Sequence, residues 1–202
     1  MPSNFRRLRA PLLAAIAAAS LSACIGLGGK TPPFLLTLDA DAAPSAGTAR
    51  TASEAATLTI LIPTAPQKLR TTRIPVQQDD SSVAYVKDAQ WVEAPQRLFQ
   101  RLVSETVSAR TSRVVLDEGQ YLTAPGEQLA GQLMEFGVDA RTNEAVVVYQ
   151  AMLVSAGGKT VTQRRFEARE AIGTAVEAKP VGEALTRAAN KVAIDVTGWI
   201  GG

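Results

Sequence analysis

Histidine is missing from the 202-residue chain, and cysteine occurs once. Without histidine there is no imidazole base for a Ser-His-Asp or Cys-His nucleophile, and no imidazole metal ligand. A lone cysteine excludes an internal disulfide framework and a multi-cysteine zinc site. Charge of one sign is also scarce: 21 Lys plus Arg stand against 19 Asp plus Glu, a net +2. That excess is too small to point to a nucleic acid or another polyanion. What remains, 46% hydrophobic and 20% charged residues, is the composition of an ordinary globular chain of one-domain length.

The small basic excess is confined to the start of the chain. Arg6, Arg7 and Arg9 precede an apolar run from Leu12 to Leu21. About ten residues are too few to span a bilayer but suit the core of an export signal. The run ends in Leu21-Ser22-Ala23-Cys24, which resembles a bacterial lipobox, and this predicts cleavage before Cys24 and acylation of its thiol. Removing residues 1–23 leaves 179 residues with 18 basic and 19 acidic groups, so the net charge becomes −1. The single thiol is then an anchor, and the acyl chains on Cys24 are the only attached group expected. Several chains hold a protein to a membrane stably where one would not. Ile25, rather than an acidic residue, follows the cysteine, and the resemblance to Gram-negative lipoproteins then implies the periplasmic face of the outer membrane.

Residues 24–33 read as a lipidated tether with Gly26, Gly28, Gly29 and Pro32-Pro33. It reaches no more than about 30 Å when extended, so the domain over 34–202 stays near its membrane. A second stretch of low complexity, Ala40 to Ala56, reads as a mobile connection. Short apolar runs predict strands at Phe34–Leu38 and Leu58–Ile62, an edge segment at Arg73–Val76, and a strand at Val83–Val86 after the turn Asp79-Asp80-Ser81-Ser82. A helix is expected over 94–110, with Pro95 in its first turn. Further strands are expected at 113–116, 128–140, 145–155 and 160–168. Gly157-Gly158 turns the last hairpin, and a helix over 180–200 ends the chain.

Catalytic patterns fail on inspection. Gly157-Gly158-Lys159-Thr160 ends like a phosphate-binding loop, but Leu153 stands where its first glycine belongs. There is no Gly-x-Ser-x-Gly elbow and no Ser-x-x-Lys pair. The acidic pairs Asp79-Asp80, Asp117-Glu118 and Glu167 with Glu170 read as solvated turns and strand surface rather than as a metal or acid-base site.

The order of features resembles one family. The run Phe34 to Leu38 after the candidate lipidation site is followed by Leu58 to Pro63 and then Leu69 to Ile74. The segment Val83-Ala84-Tyr85-Val86-Lys87-Asp88-Ala89-Gln90-Trp91-Val92-Glu93-Ala94-Pro95 comes next, and it carries most of the likeness. It is similar to the ABC-type transport auxiliary lipoprotein family, whose members include the paraquat-inducible lipoprotein of MCE-type systems. The resemblance implies a three-layer α/β/α sandwich with a mixed sheet, similar to the amino-terminal domain of TolB. It also implies a noncatalytic role in moving phospholipid or another hydrophobic substrate, with an MCE-domain protein and, through it, an ABC ATPase and permease as partners. Assembly with further copies of the chain stays open, as do a lipid-carrying module and an envelope hydrolase as other readings. Lys68, Arg70 and Arg73 near Tyr85 and Trp91 form the candidate docking surface.

Overall fold

The longest stretches of alternating character become the longest strands. A computed structural model describes residues 32–47, 49–53, 56–120, 126–173 and 175–201. The expected export signal, Cys24 and all of the tether but Pro32-Pro33 fall outside these. Seven strands form one mixed sheet: β1 (Thr57–Ile60), β2 (Arg73–Gln77), β3 (Val83–Gln90), β4 (Val114–Asp117), β5 (Glu127–Asp139), β6 (Glu144–Val154) and β7 (Val161–Ala171). The helices are α1 (Pro95–Arg110) and α2 (Ala178–Ile200). Among the described residues no helix is long and apolar enough to cross a membrane.

β5 is the spine of the sheet. One of its edges pairs with β6 along almost its whole length, and β6 in turn pairs with β7, both antiparallel. Its other edge receives β1 at Glu127–Leu129 and β2 at Val138–Asp139, both parallel. β1 and β2 therefore lie end to end along β5. Between them Thr64 forms a bridge with Gln132, and a 3-10 turn at Gln67–Leu69 interrupts the row. β4 flanks β1 in parallel and β3 flanks β2 antiparallel.

The β6–β7 hairpin turns at Gly157-Gly158 as expected, but through a four-residue loop over 156–159 that contains a 3-10 turn rather than through a two-residue turn. Gly157 and Gly158 take φ values of 76° and 71°, which side chains with a Cβ resist, and Ser155 N–H donates to Thr160 O at 3.0 Å. Pro95 occupies the first turn of α1, where a missing N–H costs nothing.

Two expectations are corrected. Phe34–Leu38 is not a strand; Leu36 alone pairs, in a parallel bridge with Trp91. Just beyond Trp91 the chain turns into α1 at Pro95, so the edge beside Leu36 ends after one residue. Arg73–Val76 is not an edge segment, because β2 lies between β5 and β3 with Ile74 and Val76 buried. Its proline is accommodated just before the first β5 pair, at Val76. The Ala40–Ala56 connection carries no strand among its described residues, but it is tied down twice. Asp41 N–H donates to the buried Asn190 Oδ1 at 2.8 Å, and Arg50 donates to Thr111 O.

Register shows where the helices sit. Tyr149 of β6 and Phe166 of β7 are direct partners, so their side chains share a face. Phe99 of α1 meets Tyr149 edge-on with centroids 5.1 Å apart, and Trp199 of α2 lies 5.7 Å from Phe166. Both helices therefore cover the same face, and the core of Leu98, Leu102, Leu133, Phe136, Leu185 and Val192 lies beneath them. The mixed α/β class expected from the sequence stands. Among the described residues the helical layer lies on one side of the sheet.

Candidate functional site

The opposite face of the sheet carries no helix among the described residues, and strand alternation decides what it displays. From β7 it presents Arg165, Glu167 and Arg169; their β6 partners are Gln150, Val148 and Val146, and the β5 partners of those are Gln132, Glu135 and Gly137. From β2 it presents Arg73, Pro75 and Gln77. Val148 is only 2% exposed on a face without a covering helix. Long charged side chains lie over the aliphatic ones, as their apolar stems allow.

Those charges are paired. Lys68 Nζ lies 2.6 Å from Glu135 Oε2 and donates to Gln77 Oε1 at 3.3 Å. At the far end Asp139, whose side chain is 11% exposed, receives Arg141 at 3.3 Å and Arg169 at 3.5 Å. Arg169 also reaches Glu144 at 3.3 Å and Glu167 at 2.9 Å. The hydrogen bond from Arg141, then its charge and the bond from Arg169, hold the Asp139 carboxyl below the usual carboxylate range against the opposing effect of burial. A cleft of about 410 Å³ opens between these two groups of charges, with Lys68, Gln77, Glu135, Asp139, Arg141 and Arg169 on its walls. Beside it, the Asp79 carboxylate accepts bonds from the Ser82 hydroxyl and from the Ser81 backbone and hydroxyl; these bonds fix the 79–82 turn that the sequence predicts and lower the carboxyl pKa to about 2.

The five residues of the candidate docking surface divide between the faces. Arg73 stacks on Tyr85, its guanidinium carbon 4.0 Å from the ring centre, and Lys68 lies on the same open face. Arg70 is exposed in the turn before β2, with Nε donating to Ala65 O at 3.0 Å. Trp91 is 1% exposed and packs edge-on against Phe136, 5.6 Å between centroids, on the helical side.

A bulge in β3 causes the split. Tyr85 pairs with Pro75 and Gln90 with Arg73, so one β2 residue faces four β3 residues in the interval. Three extra residues are an odd number, and they invert the alternation that would keep Tyr85 and Trp91 on one face. Asp88, at φ 52°, takes the left-handed turn that accommodates them. Sequence reasoning also missed Glu135, Asp139 and Arg169. The alternation of Arg165, Glu167 and Arg169 with Phe166 and Ala168 was visible, but not the partners across the sheet.

Among the described residues this face carries paired charged and hydrogen-bonding side chains around the cleft. A Xanthomonas campestris protein of the DUF330 family has the same fold, with a TM-score of 0.66 and 16% identity over 83% of this chain and 94% of that one. A second, uncharacterised protein superposes with a TM-score of 0.64 at 12% identity, covering 83% of this chain and 96% of its own. No curated protein matches the sequence. The family model for the ABC-type transport auxiliary lipoprotein component matches residues 36–196, and the chain therefore belongs to that family.

Proposed function

We propose that the chain is a noncatalytic docking component at the periplasmic face of the outer membrane, held there by Cys24. In this reading it receives the MCE-domain protein of an ABC-driven pathway for phospholipid or another hydrophobic substrate. The family match over 36–196 carries the reading, and Leu21-Ser22-Ala23-Cys24 supports the anchor. The helix-free face supports docking over lipid carriage. Its aliphatic side chains lie under ion pairs such as Lys68–Glu135, where an acyl chain would need an open apolar groove.

Anchoring and docking are tested separately. Cys24→Ser is expected to leave the chain in the soluble or unprocessed fraction without labelled palmitate, and equal labelling of that variant would refute the anchor. For docking, Lys68→Glu, Arg70→Glu and Arg73→Glu together are expected to weaken capture of the purified MCE-domain partner by about tenfold, mainly through slower association, and to reduce the weakening of capture by added salt. Capture that survives all three reversals excludes this cluster from the interface.

A further inference from the structure

We infer that Phe34 and Leu35 make a second contact with the bilayer, seated at the boundary of headgroups and acyl chains beside the lipid anchor. The inference rests on the anchoring of Cys24 proposed above. Among the described residues large apolar side chains are rarely exposed; Val83, Val161 and Val176 stand singly at strand ends or in a loop. Phe34 and Leu35 are adjacent, at 48% and 49%, and Val92 at 40% belongs to the same corner.

The corner is held by the bridge at Leu36. Leu36 N–H donates to Gln90 O at 2.8 Å and Val92 N–H to Leu36 O at 2.9 Å. Leu36 and Trp91 turn inward together, Leu36 lying against the bare backbone of Gly182 in α2 and Leu38 following into the core. Alternation then turns Leu35 and Val92 outward. The core has already taken Leu36 and Leu38, and their neighbours stay at the surface in a fixed place.

The occupant follows from the sequence leading to that corner. Only nine residues separate Cys24 from Phe34, and between Cys24 and Leu38 the one charged residue is Lys30; no acid occurs before Asp39. A short apolar segment with one positive charge is compatible with a phospholipid surface that includes anionic headgroups. Two side chains alone would bind a membrane weakly. A tether this short keeps them at high effective concentration near the surface, so a weak contact is enough to orient the domain.

The test reads depth rather than binding, because the acyl chains govern binding. Since lipid occupies the Cys24 thiol, a cysteine introduced by Phe34→Cys or Leu35→Cys is the only free thiol for a nitroxide label. Val161→Cys serves as the control, 57% exposed at the first residue of β7, beside the Gly157-Gly158 turn. The full lipidated protein is placed in vesicles of phosphatidylethanolamine and phosphatidylglycerol, and collisions with oxygen and with a water-soluble nickel chelate are compared. The oxygen-to-nickel ratio is expected to rise severalfold at positions 34 and 35 over position 161. Equal ratios at all three positions would overturn the contact. Shielding from both agents at 34 and 35 would also overturn it, since a protein surface, such as a second copy, would then cover the corner. Failure of the anchor looks different: the chain would not float with the vesicles, and Cys24 would itself take the label.

Discussion

Gly131→Ala is expected to lower stability by about 3 kcal/mol, at the upper end of what overpacking costs. A Cβ at this position would sit 2.2 Å from Gln150 O and within 2.9 Å of two ring carbons of Tyr149. The first of these is backbone of the neighbouring strand, so relief requires β5 and β6 to part. Tyr149 lies across the glycine and donates from Oη to Ala130 O at 2.8 Å, in surroundings buried enough to push its hydroxyl well above its ordinary pKa. Phe99 of α1 meets the same ring edge-on. Crowding at one glycine would thus reach the sheet, the tyrosine and the helix together. In urea the midpoint should fall by roughly 1–2 M for a typical m-value. Gly173→Ala is the control: its φ is +93° but nothing lies within 4 Å, so only the backbone preference of about 1 kcal/mol is lost. Equal losses for the two variants would mean that conformation, not the close approach to β6, requires glycine at 131.

What could be read in advance was local. Alternation over 145–155, the Gly157-Gly158 turn and Pro95 at a helix start each act within a few residues, and each element formed where they place it. Pairing across long separations could not be read this way. Nothing near Thr57 or Arg73 says that β1 and β2 share one edge of β5, and nothing near Asp139 indicates Arg169, 30 residues on. The docking cluster was legible in part for the same reason. Tyr85 and Arg73 meet because β3 pairs with β2 by proximity, but the three-residue bulge that separates Tyr85 from Trp91 depends on how those strands register. The family likeness in the segment from Tyr85 to Pro95 survives this correction, since a buried tryptophan before a helix start is a structural requirement that needs no part in binding.

Trp91 gives the largest expected effect of a single side chain, and its chemistry separates packing from docking. Trp91→Ala would empty a site that is 1% exposed and bounded by Phe136, at an expected cost of about 3–5 kcal/mol. The indole is not an ideal fit, because its Nε1–H is buried with no hydrogen-bond partner among the described residues. An unsatisfied donor of this kind costs about 1–3 kcal/mol, while trimming tryptophan to phenylalanine leaves a small cavity costing about 1 kcal/mol. Trp91→Phe is therefore expected to be close to neutral in urea unfolding, retaining the edge-on contact while removing the orphan donor. A loss as large as that of the alanine variant would show that the indole N–H has a partner after all. Tyr85 provides the opposite pattern. Tyr85→Ala removes a half-buried ring from the open face and its stacking with Arg73, worth about 0.5–1 kcal/mol at an exposed site. If the open face receives the partner, Tyr85→Ala should weaken capture with little change in unfolding, whereas Trp91→Phe should leave both unchanged.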